Sequence, residues 1–160
     1  KYFCDTEFNG FGGELISLAL VREDGKWLYL VYPKYFGTTP SDVEPWVKEN
    51  VIPILWKIPQ EDSSRGDWAV AVPDQNAGAQ YIAKFLNEDP NKAPVIITDW
   101  PDDISYLCKA LITGPGMMIS FVNNIKFELD FGIQYESAVP HNALHDARGI
   151  REYFLNLEAK

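Results

Sequence analysis

An Asp and a Glu two positions apart, Asp5 and Glu7, sit near the end of an apolar and aromatic opening run, Lys1-Tyr2-Phe3-Cys4-Asp5-Thr6-Glu7-Phe8. On an extended strand, residues two apart share a face, so both carboxylates project to one side. Acidic side chains are poor strand formers and repel one another. A strand ending in such a pair is therefore a candidate for holding a divalent cation through oxygen ligands. A strand running out into a polar turn would look the same, and Asp-x-Glu alone is weak as a motif. The second chemical stretch lies near the other end, His141-Asn142-Ala143-Leu144-His145-Asp146. His141 stands at the mouth of an expected helix and Asp146 just inside it, so both can project toward one place at its N-terminal end. A lone His before a helix is more often a cap or a packed residue. Here it is paired with a carboxylate five residues on, in a chain that also carries the unexplained Asp5/Glu7 pair.

The elements that must position these groups are readable in outline. Asn9 to Gly13 is a glycine-rich turn after the first strand, able to let backbone approach a ligand and unlike a phosphate loop. Glu14 to Val21 and Trp27 to Tyr32 read as strands around an Asp-Gly turn, which makes an antiparallel meander of three with the first strand central. Ser41 is the expected cap of a helix carrying Asp42, Glu44 and Pro45, running to about Asn50 and resuming through Ile52 to Trp56. Lys57 to Gln75 shows no clean period. A helix from about Asn76 to Asn87 and a buried strand from Pro94 to Asp99 follow. Pro101 then opens a helix with an apolar stripe of Ile104, Leu107, Cys108 and Leu111. Met117 to Val122 is compatible with a strand, and Asn124 to Gly132 with a short helix or, by its alternation, a strand. The last helix spans about Asn142 to Glu158. Strands first, then helices alternating with further strands, give a mixed sheet with helices on its faces.

The chain as a whole sets limits. Its 160 residues suit a single domain over 1–160 with one core. With 46% hydrophobic and 23% charged residues it falls in the ordinary globular range, which excludes a disordered or low-complexity class. No apolar run approaches the ~18 residues of a membrane span and the opening residues lack a secretory signal pattern, so an intracellular, cytoplasmic protein is expected. Cys4 and Cys108 are expected to be small buried side chains. No Cys-x-x-Cys or clustered Cys/His spacing suggests a disulfide or a zinc site. The net charge of −9 runs against broad attraction to nucleic acid. Acids that ligate cations would offset it, since each dication cancels two charges.

Three motifs, in this order and separation, resemble the DEDDh exonucleases of the RNase H-like superfamily, the group that contains RNase T, oligoribonuclease and the proofreading subunits of bacterial replicative polymerases. They are Asp-Thr-Glu at 5 to 7, an Asp followed four residues later by Leu, and His-x-Ala-x-x-Asp at 141 to 146. The compact length, the Tyr-Phe-Cys-Asp-Thr-Glu-Phe opening and the His-Asn-Ala-Leu-His-Asp-Ala-Arg ending look most like a small branch of bacterial and phage 3′-to-5′ exoribonucleases. The resemblance implies an RNase H-like mixed β-sheet, its first three strands antiparallel and others parallel, flanked by α-helices. It implies that Asp5, Glu7, Asp103 and Asp146 hold two divalent cations, Mg²⁺ or Mn²⁺, and that His141 is the general base. Asp103 is the third acid because Asp103-Ile104-Ser105-Tyr106-Leu107 fits Asp-x-x-x-Leu. Asp102 would put Tyr106, and Asp99 would put Asp103, where Leu belongs, so both are runners-up. His145 does not fit the family spacing, and Asn142 holds the position of the sister family's Tyr.

Phosphodiester hydrolysis explains such a set. A phosphodiester is already anionic, so its hydrolysis needs charge neutralised, a water activated and the departing alkoxide stabilised. Two divalent ions ~4 Å apart accomplish this. Hard oxygen ligands suit both ions, and an imidazole, which titrates near neutrality, suits the proton from the attacking water. The expected products are nucleoside 5′-monophosphates released from the 3′ end of single-stranded RNA or an RNA 3′ overhang. Thr6, Phe8, Trp100 and Arg148 are candidate substrate contacts. Stacking a terminal base on Phe8 would contribute ~1 to 3 kcal/mol, with core packing as the equal alternative; Arg148 and Arg151 could meet phosphates or form a solvated helix face. A DNA-directed, proofreading-type exonuclease and a non-catalytic nucleic-acid-binding module on the same fold are the competing expectations. The resemblance also raises a homodimer.

Overall fold

The computed structural model describes residues 1–35, 37, 39–59, 67–89, 91–121 and 123–159. Tyr2–Phe8 (β1), Leu15–Arg22 (β2) and Trp27–Val31 (β3) form the expected antiparallel meander. To them are added Trp68–Ala71 (β4), parallel to β3, Val95–Thr98 (β5), parallel to β1, and Lys126–Leu129 (β8), parallel to β5. The six strands run β4-β3-β2-β1-β5-β8. β1 is thus interior, hydrogen-bonded on both edges. The architecture is the mixed, helix-flanked sheet anticipated and is consistent with an RNase H-like fold. Ile112–Gly114 (β6) and Met117–Met118 (β7) make a separate hairpin.

Helices cover both faces because β1 alternates. Tyr2 and Cys4 face one core with Leu18, Leu20, Leu28 and Leu30, under Gln75–Leu86 (α2) and Pro101–Ala110 (α3). On the opposite face Phe3 packs with Ile97 and Ile150. Pro45–Asn50 (α1) and Ala143–Glu158 (α4) close that side over Ile16, Ala19 and Tyr29. The odd-numbered residues of β1, Asp5 and Glu7 among them, therefore look toward α4.

Several local expectations shift. The cap of α1 is Glu44, with Pro45 opening the helix, and Ser41 lies in a preceding turn. A residue before proline is pushed out of the helical region, which fixes the start at Pro45. Asn9 holds that start in place, its amide oxygen accepting from Glu44 N at 2.8 Å and its amide donating to Asp42 O at 3.0 Å. The strand β4 lies in the stretch without a readable period, whose residues 60–66 lie outside the described residues. It has four half-buried residues, two of them Ala, too few to show alternation. Of the expected strand from Met117 to Val122 only Met117–Met118 forms, and Val122 lies outside the described residues. The 126–129 stretch takes its alternation as a strand, not a helix. Cys108 is exposed, contrary to expectation, while Cys4 is buried. Among the described residues no helix is long and apolar enough to cross a membrane.

The entry to α4 is fixed by Asn142, fully buried, whose Oδ1 accepts from Leu144 N at 3.2 Å and His145 N at 3.4 Å while its amide donates to Ile54 O at 2.8 Å. One side chain thus caps the helix and ties it to the segment after α1. Asn142→Ala is expected to cost about 2 kcal/mol, because it removes the cap and leaves the half-buried Ile54 carbonyl without this donor. A lower urea midpoint at unchanged slope would register the loss.

Candidate functional site: a carboxylate cluster at the end of the sheet

Asp5 and Glu7 leave β1 on the α4 face, and Asp146, in the first turn of α4, comes to meet them. Oxygens of Asp5, Glu7 and Asp146 lie within 4.8 Å of one another. A second group with the same spacing joins Asp5 to Asp99 and Asp103. Asp5 belongs to both. The parallel register explains Asp99, since Phe3 pairs with Ile97 and the same offset two residues on sets Asp99 beside Asp5. Asp103 enters from the first turn of α3. All four acids expected from the sequence are thus brought together, and Asp99, a runner-up for one position, joins them as a fifth. The Asp-x-x-x-Leu spacing could not have found it; the equal offset of two parallel strands could have.

Thr6 points to the other face. Its backbone N–H and hydroxyl donate to Asp103 Oδ1 at 3.0 and 2.6 Å, and the Thr98 hydroxyl donates to Oδ2 at 2.7 Å. Asp103 is therefore oriented by the strands on either side of it. Asp102 accepts from the Trp100 indole N–H at 3.0 Å and lies outside both groups of acids.

Burial raises every carboxylate of the set. Asp5 is held well above the usual range by desolvation, then by the charges of Asp103, Glu7, Asp146 and Asp99. Glu7 is pushed to about 8 by burial and by Asp146 and Asp103. Asp103 reaches about 6, burial outweighing the Thr6 and Thr98 hydrogen bonds. Asp99 and Asp146 rise chiefly through desolvation, with the His141 N–H among the groups pulling Asp146 the other way. Asp5 Oδ2 is buried and accepts no hydrogen bond among the described residues. Buried and half-buried carboxylates facing one another with an orphaned oxygen fit a divalent cation, which would supply the missing positive charge and the missing bond.

His141 sits at the mouth of the cluster in a left-handed conformation, φ 65°. Its backbone N–H donates to Asp146 Oδ2 at 2.9 Å, and its exposed ring packs edge-to-face on Trp46 at 4.8 Å between centroids. The other histidine is turned away, His145 Nε2 donating to Lys57 O at 2.8 Å. Phe8 lies on the α3 side of the sheet, its ring stacked on Tyr106 at 4.5 Å between centroids. Trp100 is 55% exposed beside Asp99. Arg148 is half-buried on α4 two residues after Asp146, a spacing that faces a different side of the helix. Arg151 donates to Glu23 O at 3.0 and 2.9 Å, at the β2–β3 turn.

No family model matches the chain. A stretch of 57 residues is 40% identical to 3′-5′ exoribonucleases of Mycobacterium tuberculosis from strains CDC 1551 and H37Rv, and it covers 34% of this chain and 32% of each relative. The chain thus matches about a third of the length of these curated relatives.

Proposed function

We propose that this chain is a divalent-cation-dependent 3′-to-5′ exoribonuclease of the DEDDh type that releases nucleoside 5′-monophosphates. The observation that carries the reading is Asp5, shared by two carboxylate groups and holding a buried oxygen with no partner among the described residues. The partial likeness to 3′-5′ exoribonucleases supports the same reading.

Asp5, Glu7, Asp103 and Asp146 would hold a pair of divalent cations, with Asp99 as a further oxygen donor beside Asp5. Such a pair supplies charge neutralisation at the phosphate, activation of water and stabilisation of the leaving oxygen. The protein's own residues do the rest. Thr6 and Thr98 fix the Asp103 carboxylate, so its oxygens need no reorganisation at the moment of reaction. The α4 N-terminus carries Asp146 and, through the His141 N–H, sets where the His141 imidazole stands. That imidazole accepts the proton of the attacking water. Its exposure leaves it free to move between Trp46 and a bound 3′ end.

The test is a gel assay on 5′-labelled single-stranded RNA and DNA of one sequence, with Mg²⁺, Mn²⁺ or EDTA, beside Asp146→Ala. A cation-dependent ladder shortening from the RNA 3′ end, absent in the variant, is the expected result. Preference for DNA would move the substrate to the proofreading class. Degradation of neither polymer would sink the reading.

A further inference from the structure

Gly149 is buried in the interior of α4, a place where glycine costs about 1 kcal/mol relative to alanine. A Cβ built there would stand 2.3 Å from Tyr135 Cδ2 and 3.0 Å from Cε2. The helix thus gives up propensity to make a notch, and the tyrosine ring fills it. Gly149 lies three residues after Asp146, one turn along the same helix face. The ring also packs on the cluster of Phe3, Ile97 and Ile150, and Phe3 and Ile97 are each two residues before Asp5 and Asp99 on the same strand faces. Tyr135 therefore occupies the layer immediately beneath the carboxylates.

Its hydroxyl has no hydrogen-bond partner among the described residues. At neutral pH a phenol is a neutral O–H donor. A leucine or phenylalanine would fill the notch as well. What tyrosine adds is one donor at a site built from acceptors, and a phosphate oxygen is an acceptor in need of one.

We propose that Tyr135 is a substrate-contacting residue: seated by the Gly149 notch, it donates its hydroxyl hydrogen to a phosphate oxygen of the polynucleotide end held at the acid cluster. The inference rests on the nuclease reading above. Tyr135→Phe keeps the ring and removes only the donor. It is to be compared with the unaltered protein for Mn²⁺ affinity, for equilibrium binding of 5′-AMP in Mn²⁺, and for single-turnover shortening of RNA. Mn²⁺ affinity is expected to hold, AMP binding to weaken ~10-fold, and cleavage to fall ~10- to 100-fold. An active unaltered protein matched by Tyr135→Phe in both AMP binding and cleavage would overturn the proposal and leave the nuclease reading intact. Loss of Mn²⁺ affinity would overturn it too, because the hydroxyl would then serve the acids. If the unaltered protein neither binds AMP nor shortens RNA, the nuclease reading falls and this proposal with it.

Discussion

On the proposed nuclease reading, Asp5→Asn is expected to slow shortening of RNA by about 10³-fold or more, while making the cation-free protein more stable. The two effects have one cause. Asp5 is the carboxylate common to both acid groups, so neutralising it would weaken both proposed cation positions at once, and a single preorganised electrostatic contact is already worth ~10² to 10³ in rate. Without a cation the same carboxylate is a liability. It is half-buried, faces four other acids and has a buried oxygen with no partner among the described residues. An amide of the same shape carries no charge and can donate to those acids, for an expected gain of about 1 to 3 kcal/mol. Thermal unfolding in EDTA checks the stability half, and single-turnover cleavage the other. An Asn variant less stable than the parent would mean that the acids tolerate one another far better than their burial suggests.

With chelator present, stability is expected to fall as pH rises from about 5 to about 8.5, and added Mn²⁺ to restore more of it at the upper end. Glu7 is raised from 4.5 to about 8 and Asp103 from 3.8 to about 6. In that window the native protein keeps protons that the unfolded chain has already released, so the unfolded state binds fewer protons and stability drops with increasing pH. Below the unfolded values both states are protonated and the native acids cost little. A tenfold difference in proton affinity between the two states is worth about 1.4 kcal/mol. A cation replaces those protons, so its stabilisation is largest where they have gone. Melting curves in EDTA and in Mn²⁺ across this range decide the matter. A melting temperature that is flat or climbs toward pH 8.5 without cation would be inconsistent with a cluster of buried acids.

The parts of the fold legible in the sequence are those with a strong local period or a sharp stop: the meander, α2, α3 and α4, with the prolines and polar caps that bound them. Trp68–Ala71 is not legible because four residues that include two alanines carry almost no alternation, and its place is decided by pairing with β3. Local cap chemistry puts the α1 start too early, at Ser41, whereas Pro45 and the Asn9 bridge decide where the helix begins. In the site, Asp5, Glu7 and Asp146 announce themselves by spacing, whereas Asp99 is set by strand register and Tyr135 by a glycine fourteen residues away in the chain. Phe8 is ambiguous in the sequence for a simple reason. Alternation says it faces away from Asp5 and Glu7, but only the fold shows that Tyr106 waits on that side.

The acids come from β1, from the β5–α3 junction and from the last helix, so the cluster is assembled only when the two ends of the chain have docked. A growing or half-folded chain offers an ion only separate pieces of the set, the Asp5/Glu7 pair, the acids of the β5–α3 junction and Asp146. The ion therefore cannot template folding as it does in a small zinc domain. Interactions formed that late act on the rate of unfolding and leave the rate of folding nearly untouched. In kinetic terms a cation bound there would act as a latch: it would lengthen the lifetime of the finished molecule while adding little to the search that produces it.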